Sequence, residues 1–291
     1  MSEPIPAHPA LLPPADLDAQ VSTALQEDVG RGDVTAALVP PEQRVRGQIV
    51  SREAAILCGQ PWVEACFGQL DPQIRLTWHV AEGAPLAPGA LVCTVEGAAR
   101  GVLTGERTAL NFLQLLSGTA TAAHRFAQAV AGTGCTVLDT RKTIPGLRTA
   151  QKYAVRVGGA QNHRIGLHDA ILIKENHIVA AGGITAAVSL ARAGARGAPV
   201  EVEVESLEEL REAIAAGADS ALLDDFTIPQ MREAVALNRA AARPLALEAS
   251  GGVGERDVRA IAETGVDFVS AGSITKHVHA VDLSMRFAWS D

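Results

Sequence analysis

Short apolar runs that alternate with amphipathic stretches constrain the fold of the second half of this chain more than any other feature. Strands separated by helices in this way predict βαβ units and a parallel sheet. Right-handed crossovers then allow an open doubly wound sheet or a closed barrel. No G-x-G-x-x-G motif follows the first run, which favours the barrel, although the six runs are fewer than the usual eight strands. The runs are CTVLDT (135–140), AILIKE (170–175), PVEVEVES (199–206), SALLDD (220–225), PLALEAS (244–250) and DFVSAGS (267–273), and the helical patterns between them cover 147–157, 185–193, 206–216, 228–240 and 255–264.

The first half of the chain has a different pattern. Residues 45–100 contain short alternating runs bounded by glycine and proline, which predict a β-rich region. Prolines crowd residues 1–15, so this segment is predicted to be a flexible or loosely docked arm. At about 150 residues per domain, a chain of 291 residues suits two domains, or one barrel with an appendage. The predicted helices of this half are 16–26, 61–69 and a long stretch, 103–130, interrupted near Ser117 and Gly118.

Composition argues against several classes of protein. The formal charge of −8 argues against a general nucleic-acid binder, because such binding depends on neutralising phosphates with cations. The four cysteines form no C-x-x-C pair and are predicted to be reduced thiols that pack as small apolar side chains. No signal peptide opens the chain, and its uncharged stretch from Thr108 to His124 is too polar to span a membrane. We therefore expect a soluble cytoplasmic protein with no membrane or nucleic-acid partner.

Polar residues or glycines end every predicted strand of the second half. In a parallel barrel the carboxyl ends of the strands carry the active site. One such end means little, since every strand must end somewhere, but six in succession indicate a site. They are Asp139-Thr140-Arg141-Lys142, Lys174-Glu175, Glu203 with Glu205, Asp224-Asp225, Glu248 with Ser250-Gly251-Gly252, and Ala271-Gly272-Ser273.

Positive charge is concentrated between residues 141 and 177. This window holds seven lysines and arginines but only two acids, in a chain whose net charge is −8. A positive funnel of this kind suits a small anion that carries phosphates or carboxylates. Arg148, Lys152 and Arg156 lie on a helical pattern, where a solvated helix face explains them equally well. The cations at the strand ends do not fit that explanation.

Two glycine turns suggest a phosphate site. SGGV (250–253) precedes a predicted helix that starts near Glu255, and AGS (271–273) ends the last strand. Glycines before a helix let backbone N–H groups approach phosphate oxygens. Ordinary turns between strands and helices are the alternative explanation.

A run of alternating glutamates suggests a metal or sugar site. In VEVEVE (200–205), strand periodicity puts Glu201, Glu203 and Glu205 on one face. On an exposed strand this would be a solvated edge, but in a central strand the face points inward and needs cations, a metal or water. Together with Asp224, these carboxylates resemble a site for magnesium or ribose hydroxyls.

These motifs, in this order, resemble the quinolinate phosphoribosyltransferase family over nearly the whole chain. The resemblance implies an α/β protein with an N-terminal α/β sandwich domain and an incomplete parallel α/β barrel. The implied segments are an arm at 1–15, the sandwich at 16–118, the barrel at 119–274 and a C-terminal segment, 275–291, that returns to the sandwich. The motifs are EDVGRGDVTA (27–36), ERTALNFLQLLSGTAT (106–121), LDTRKTIPGLR (138–148), KYAVRVGGAQNHRIGL (152–167), LIKENHI (172–178), VEVEVESLEEL (200–210), LLDDF (222–226), EASGGV (248–253) and AGSITK (271–276).

By this resemblance, the chain transfers phosphoribosyl from phosphoribosyl pyrophosphate to quinolinate with loss of CO2, giving nicotinate mononucleotide and pyrophosphate in NAD biosynthesis. The implied cofactor is Mg2+, and the implied assembly is a homodimer in which the barrel mouth of one subunit faces the N-terminal domain of the other. The implied catalytic residues are Lys142, Glu203 and Asp224, of which Glu203 and Asp224 would hold the metal. The implied substrate contacts are Arg107, reaching into the partner's site, with Thr140, Arg141, Lys142, His163, Arg164, Lys174, Glu203 and Asp224, and a 5-phosphate cradle of Ser250, Gly251, Gly252, Ala271, Gly272 and Ser273.

Three residues depart from the family pattern. Asp225, His168 and Glu175 replace residues that are usually Asn, Tyr and Asp in the family.

Three other functions remain as alternatives. A related phosphoribosyltransferase acting on another heteroaromatic acid is the nearest rival. A Schiff-base lyase using Lys174 or Lys142 is the second, since a lysine at a strand end suits that chemistry. A non-catalytic anion-binding or scaffold protein is the third.

Overall fold

The computed structural model describes residues 11–194 and 197–289, and these form two compact units. Of the described residues, the first unit contains 11–124, the segment Ile144–Gly159 and 277–289. The second contains Arg125–Thr143 and Ala160–Lys276. The predicted sandwich and barrel segments differ from these units chiefly because residues 144–159 pack within the first one. Residues 1–10 of the predicted arm lie outside the described residues.

The helices and strands follow one another in the order that the periodicity predicts. The strands are β1 (Arg44–Ser51), β2 (Ala55–Ile56), β3 (Arg75–Trp78), β4 (Pro85–Leu86), β5 (Leu91–Ala98), β6 (Thr136–Leu138), β7 (Ile171–Ile173), β8 (Val200–Val204), β9 (Ser220–Asp224), β10 (Ala246–Ser250), β11 (Phe268–Ser270) and β12 (Leu283–Trp289). The helices are α1 (Leu17–Val29), α2 (Gln60–Leu70), α3 (Ala99–Ala129), α4 (Arg148–Val157), α5 (Glu175–Ala181), α6 (Ile184–Gly194), α7 (Leu207–Ala216), α8 (Ile228–Arg239), α9 (Val258–Ala262) and α10 (Ser273–Lys276).

The first unit is built on an antiparallel sheet with the strand order β12-β1-β5-β3. The end of the chain returns to this sheet, because β12 pairs with β1 from Trp289 opposite Val45 to Leu283 opposite Ser51. Alternation along β1 buries Val45 and Ile49 and exposes Arg44 and Arg46. One face of the sheet therefore joins a core whose helical members include Val21 of α1, Trp62 and Phe67 of α2, and Leu110, Leu113 and Leu116 of α3.

The long helix α3 runs without a break through its 31 residues, so the predicted interruption near Ser117 and Gly118 is wrong. The hydroxyl of Ser117 is buried and donates to the carbonyl oxygen of Cys58 at 3.1 Å. A Cβ atom at Gly118 would overlap the carbonyl oxygen of His279. These two small residues mark a close approach of neighbouring backbone rather than a helix end.

Helix α4 is more deeply buried than its charges suggest. Lys152 is only 2% exposed, and Arg148 and Arg156 are half-buried. The explanation of Lys152 as part of a solvated helix face is therefore wrong. Amphipathic spacing alone misses this because several sides of α4 pack against the first unit.

The second unit contains a parallel sheet of six strands in the order β6-β11-β10-β9-β8-β7. All six predicted runs form strands, which confirms the βαβ series. Three helices differ from the prediction: α5 and α10 follow β7 and β11 where no helix is predicted, and α9 begins at Val258 rather than near Glu255. The glycines at 251 and 252 therefore precede a turn and not the first residues of a helix.

The parallel sheet curls into the predicted incomplete barrel, with β6 and β7 at its edges. Four strand spacings separate β6 from β8, which would amount to about 19 Å in a flat sheet. His163 nevertheless bridges them: its backbone N–H donates to Asp139, just after β6, while its ring lies 3.0 Å from Glu201 on β8. Only a strongly curved sheet brings these strands within reach of one side chain.

Two expectations from composition can be compared with the structure. All four cysteines are free and buried, as predicted. In the described part of the chain, no single helix has both the length and the apolar character needed to cross a bilayer. Helices α5 and α6 meet those criteria only as a pair, with a bend of 92° between them.

Candidate functional site

The carboxyl ends of β8, β9 and β10 bring three of the predicted site residues to one edge of the parallel sheet. Asp224 on β9 lies opposite Ser250 on β10, and two residues earlier on β9 Leu222 lies opposite Glu203 of β8. Strand periodicity keeps Glu201 and Glu203 on the same side of β8, about 6.6 Å apart along the strand. The glutamates therefore face the inside of the curved sheet in successive layers.

An acidic group, made of Glu203, Asp224 and Asp225, lies at the ends of β8 and β9. The ammonium of Lys174 forms an ion pair with the Glu203 carboxylate. Burial raises the pKa of Asp224, and the negative charges of Glu203 and Asp225 raise it further, whereas Lys174 and Lys142 act in the opposite direction. The acidic group and the two lysines thus lie close enough to influence one another.

This acidic group fits a hard divalent cation. Carboxylate oxygens are the ligands that Mg2+ takes from proteins, usually one or two of them together with substrate phosphates. Burial contributes most to the raised pKa of Asp224, and the neighbouring carboxylates of Glu203 and Asp225 add to it, so a cation there would relieve both effects. Glu203 and Asp224 therefore have the right chemistry to hold Mg2+.

The backbone around Lys142 is fixed by two threonines. Thr140 accepts a hydrogen bond from the backbone N–H of Lys142 at 3.0 Å, and Thr275 donates to the Lys142 carbonyl oxygen at 2.9 Å. A Cβ atom at Gly272 would lie 2.8 Å from Cδ of Lys142. The absence of a side chain at Gly272 thus leaves room for the lysine beside the end of β11.

The turn after β10 is shaped by a contact between Gly251 and Asp225. Gly251 has φ of +100°, and Gly252 has φ of +54°. Asp225 also has a positive φ, 52°, and any Cβ atom at Gly251 would overlap its carboxylate. A carboxylate therefore borders the predicted phosphate cradle.

A histidine cluster, formed by His163, Glu201 and Glu248, lies inside the curved sheet. Nε2 of His163 is 3.0 Å from Oε2 of Glu201 and 3.3 Å from Oε2 of Glu248. Burial by itself lowers the pKa of His163, whereas the hydrogen bonds and charges of the two glutamates raise it, and the Arg164 backbone N–H that points at Nδ1 opposes a second proton on the ring. Burial also raises the pKa of the Glu248 carboxyl.

An arginine pair, Arg141 and Arg164, lies beside this cluster. Burial lowers the pKa of Arg164, and the positive charge of Arg141 lowers it further, while Glu201 and Asp169 oppose this. Nη1 of Arg164 donates to the carbonyl oxygen of Ala170 at 3.3 Å. Two guanidinium groups that repel each other in a partly buried place form a natural site for an anion.

Arg107 belongs to the first unit, whereas the strand ends belong to the second. It is exposed on α3 and lines a cavity of about 560 Å³ together with residues of α1 and of the turn at 145–147. The predicted reach of Arg107 into a partner's site stays a prediction.

The sequence analysis leaves Asp139 and Glu248 without a role and groups Glu201 with the predicted metal or sugar site, whereas the structure pairs Glu201 with His163. Asp139 is fully buried and accepts hydrogen bonds from the Asn162 side chain and from the His163 backbone. An acid within an apolar run, as in the PLALEAS strand, is the signal that could have identified Glu248, because a buried carboxylate needs a partner. The partner itself is remote in sequence.

Comparison with known proteins gives the family. Residues 33–117 match the N-terminal domain of quinolinate phosphoribosyl transferase, and residues 119–286 match its C-terminal domain. The nicotinate-nucleotide pyrophosphorylase [carboxylating] of Mycobacterium leprae is 41% identical, over 94% of this chain and 99% of that protein. The human protein of the same name is 40% identical, over 95% of this chain and 93% of its own length.

Solved structures agree with the sequence comparison. The nicotinate-nucleotide pyrophosphorylase of Francisella tularensis superimposes with a TM-score of 0.91 at 45% identity, over 96% of this chain and 98% of that one. Both domains of the family and the full-length relatives thus cover nearly all of the present sequence. The chain belongs to the quinolinate phosphoribosyl transferase family.

Proposed function

We propose that this chain transfers the phosphoribosyl group of phosphoribosyl pyrophosphate to quinolinate and releases CO2, giving nicotinate mononucleotide and pyrophosphate. The observation that carries the proposal is the layout of β8. Glu201 connects this strand to the histidine cluster and the arginine pair, and Glu203 connects it to the acidic group. One strand therefore joins cations suited to a dicarboxylate with acids suited to a metal and a ribose, as the names of the relatives lead one to expect.

The arginine pair supplies the binding site for quinolinate in this proposal. Quinolinate carries two carboxylates, and Arg141 and Arg164 can each hold one through paired hydrogen bonds. A hydrogen bond to a charged group contributes about 1.5–3 kcal/mol. Nicotinate, which has a single carboxylate, would engage only one of these two partly buried arginines, so the site should bind it far more weakly.

The acidic group serves the sugar in this proposal. Glu203 and Asp224 hold Mg2+ and the ribose hydroxyls. The bound ion would offset the negative charge of the pyrophosphate leaving group. The same two carboxylates stabilise the positive charge that develops at the ribose C1 atom as its bond to pyrophosphate breaks, because fixed charges aimed at the transition state need no reorganisation.

The steps balance without a redox cofactor. The ring nitrogen N1 of quinolinate forms a bond to C1 of the ribose, and pyrophosphate leaves with the bonding electrons. The alkylated ring is then cationic, so the bond from C2 to its carboxylate can break, releasing CO2 and leaving the electron pair at C2, which takes up a proton. The protein mainly positions the two reactants and stabilises charge.

The lyase alternative names Lys174 or Lys142, and the contacts of Lys174 do not suit it. Schiff-base formation needs a neutral amine that is free to attack a carbonyl. The ammonium of Lys174 is instead engaged by the Glu203 carboxylate. In this proposal both lysines serve anionic substrates, so borohydride treatment with a carbonyl substrate should trap no covalent adduct, and an adduct at either lysine would favour the lyase.

The assembly and location belong to the same proposal. We propose a homodimer whose sites are shared, since Arg107 is exposed on α3 and could be donated to a second subunit. We also place the reaction in the cytoplasm, where four free and buried thiols such as these stay reduced.

The direct test incubates the purified chain with quinolinate, phosphoribosyl pyrophosphate and Mg2+. We expect nicotinate mononucleotide and CO2 in equal amounts. Nicotinate in place of quinolinate is the matched control and should give little mononucleotide. No product from quinolinate, or equal turnover of both acids, would show that the chain acts on a different substrate.

A further inference from the structure

Two buried carboxylates share one ring N–H in the histidine cluster. The side chains of Glu201 and Glu248 are 11% and 3% exposed, and both approach Nε2 of His163. Burying a carboxylate costs free energy unless it is paired and hydrogen-bonded, and although Glu248 also accepts a hydrogen bond from Ser270, the ring N–H is divided between the two acids. The burial of these two carboxylates therefore calls for a role, which is to hold another group in place.

A metal ion is one explanation, since ligand atoms of the three residues lie within 4.8 Å of one another. Coordination through Nε2 would require the ring proton to sit on Nδ1. Nδ1 of His163 instead accepts a hydrogen bond from the backbone N–H of Arg164 at 2.7 Å. The ring therefore presents an N–H at Nε2 to the two glutamates, which favours a hydrogen-bonded cluster over a metal site.

His163 fixes the backbone of the loop that carries Arg164. The backbone N–H of His163 donates to Oδ1 of Asp139 at 2.9 Å. On the other side of Arg164, the N–H groups of Ile165 and Gly166 donate to the carboxylate of Asp169 at 2.7 and 2.9 Å. Arg164 is thus held by the His163 ring before it and by an acid after it.

We propose that Glu201 and Glu248 are positioning residues for the dicarboxylic acid substrate: they orient the ring of His163 and, through its bond to the Arg164 backbone, place the guanidinium that binds a substrate carboxylate. This role rests on the proposed function. It separates two tasks along β8, because Glu201 serves the aromatic acid whereas Glu203, two residues later, serves the sugar.

The first test compares Glu201→Gln and Glu248→Gln with the wild type and with Glu233→Gln, a control on the exposed surface of α8. An amide keeps the shape of the side chain but binds the ring N–H more weakly, so KM for quinolinate should rise about tenfold or more. KM for phosphoribosyl pyrophosphate should stay close to that of the wild type. Parallel increases in both KM values would overturn the positioning role, and a wild type without turnover would instead refute the proposed function.

A double-mutant cycle shows whether the glutamates act through the ring. In a His163→Ala background, Glu201→Gln should raise KM for quinolinate far less than it does in the wild type, because the route to Arg164 is already broken. If the effects of the two substitutions on KM for quinolinate are fully additive, Glu201 acts independently of His163 and the proposal is wrong. If the alanine background does not fold, His163→Gln serves as the second background, read out by the thermal shift that quinolinate alone produces.

Metal-binding measurements distinguish a hydrogen-bonded histidine cluster from a metal site. Equilibrium dialysis of the full chain against Mn2+ or Zn2+ should give the same binding for the wild type, Glu201→Gln and Glu248→Gln. Loss of a bound ion in these two variants, with retention in Glu233→Gln, would assign the cluster to a metal and overturn the hydrogen-bonded role.

Discussion

Lys174 forms an ion pair with Glu203 across the neighbouring strands β7 and β8. The strand register explains the pair. Ile173 of β7 lies opposite Val202 of β8, so the next residues along the two parallel strands, Lys174 and Glu203, are also neighbours. The Glu203 side chain is only 13% exposed, so the ammonium offsets part of its cost of burial. When substrates bind, each partner can exchange this contact for a ligand: Lys174 for a carboxylate, and Glu203 for a hydroxyl or a metal ion.

Replacing Glu203 should remove catalysis while leaving the fold intact. Glu203→Gln keeps the volume of the side chain but removes the charge that stabilises the developing cation, so kcat should fall about 100-fold or more. Steady-state assays measure the loss, and circular dichroism with thermal melting checks the fold. Glu233→Gln, an exposed charge removal in the same unit, should retain wild-type turnover. Comparable turnover in the two variants would contradict the role of Glu203.

Removing divalent ions should abolish turnover, and adding Mg2+ back should restore it. The acidic group is crowded with negative charge, so both Glu203 and Asp224 should contribute to ion affinity. The electron paramagnetic resonance signal of free Mn2+ reports binding independently of activity. We expect weaker Mn2+ binding in Asp224→Asn than in the wild type, measured with phosphoribosyl pyrophosphate present. Undiminished activity in EDTA would count against the metal.

Mixing two inactive variants tests whether the site is shared. Arg107→Ala and Lys142→Ala should each be inactive alone. If each site takes Lys142 from one subunit and Arg107 from the other, a randomly exchanged mixture should recover about a quarter of wild-type activity, since half of the dimers contain one intact site. Native mass spectrometry confirms that subunits have exchanged. Exchange without recovery would place both residues in one chain's site.

The strand series and its polar ends could be predicted because their signals are local. Runs such as SALLDD are short and continuously apolar, as expected for a parallel strand that is buried on both faces, and the residues that end each run lie at the carboxyl edge of the sheet. Helix α5 escaped prediction because seven residues, Glu175–Ala181, are too few for helical periodicity to stand out. The helix interruption predicted near Ser117 and Gly118 is wrong because small residues also occur where a neighbouring backbone packs closely against an unbroken helix.

The contacts of the site could not be predicted in the same way. Glu201 and His163 are 38 residues apart, and only the curvature of the sheet brings them together. The apolar setting of Glu248 indicates that it needs a partner but does not say which one. Periodicity assigns a face to each residue, whereas the pairing of charges depends on which faces the curled sheet turns towards each other.

Asp219 should stabilise the second unit in a way that depends on pH. Its carboxylate accepts hydrogen bonds from the Arg192 side chain and from the Val200 backbone, each at 2.8 Å, and these lower its pKa. A group with a lowered pKa contributes stability above its unfolded-state pKa and loses that contribution as the pH falls through its folded-state pKa. Asp219→Asn should therefore cost about 1 kcal/mol at pH 7 and progressively less below about pH 4.

Urea unfolding of wild type and Asp219→Asn at several pH values measures this difference in the free energy of unfolding. Glu233→Gln, an exposed neutralisation in the same unit, serves as the control and should show little difference at any pH. A penalty for Asp219→Asn that stays constant into the acid range would show that the lost interaction does not depend on ionisation.

Two glycines in helices of the first unit should respond to alanine in opposite directions. Gly68 on α2 has open space where a Cβ would be built, so Gly68→Ala should stabilise the protein by about 0.5–1 kcal/mol through helix propensity. Gly118 on α3 lies against the His279 backbone, so Gly118→Ala must push that segment away, at a cost of about 1–3 kcal/mol. Thermal unfolding of both variants gives the comparison. Because the same substitution in the same kind of element is used twice, a gain at both sites would show that the return of the chain at His279 does not need the close approach.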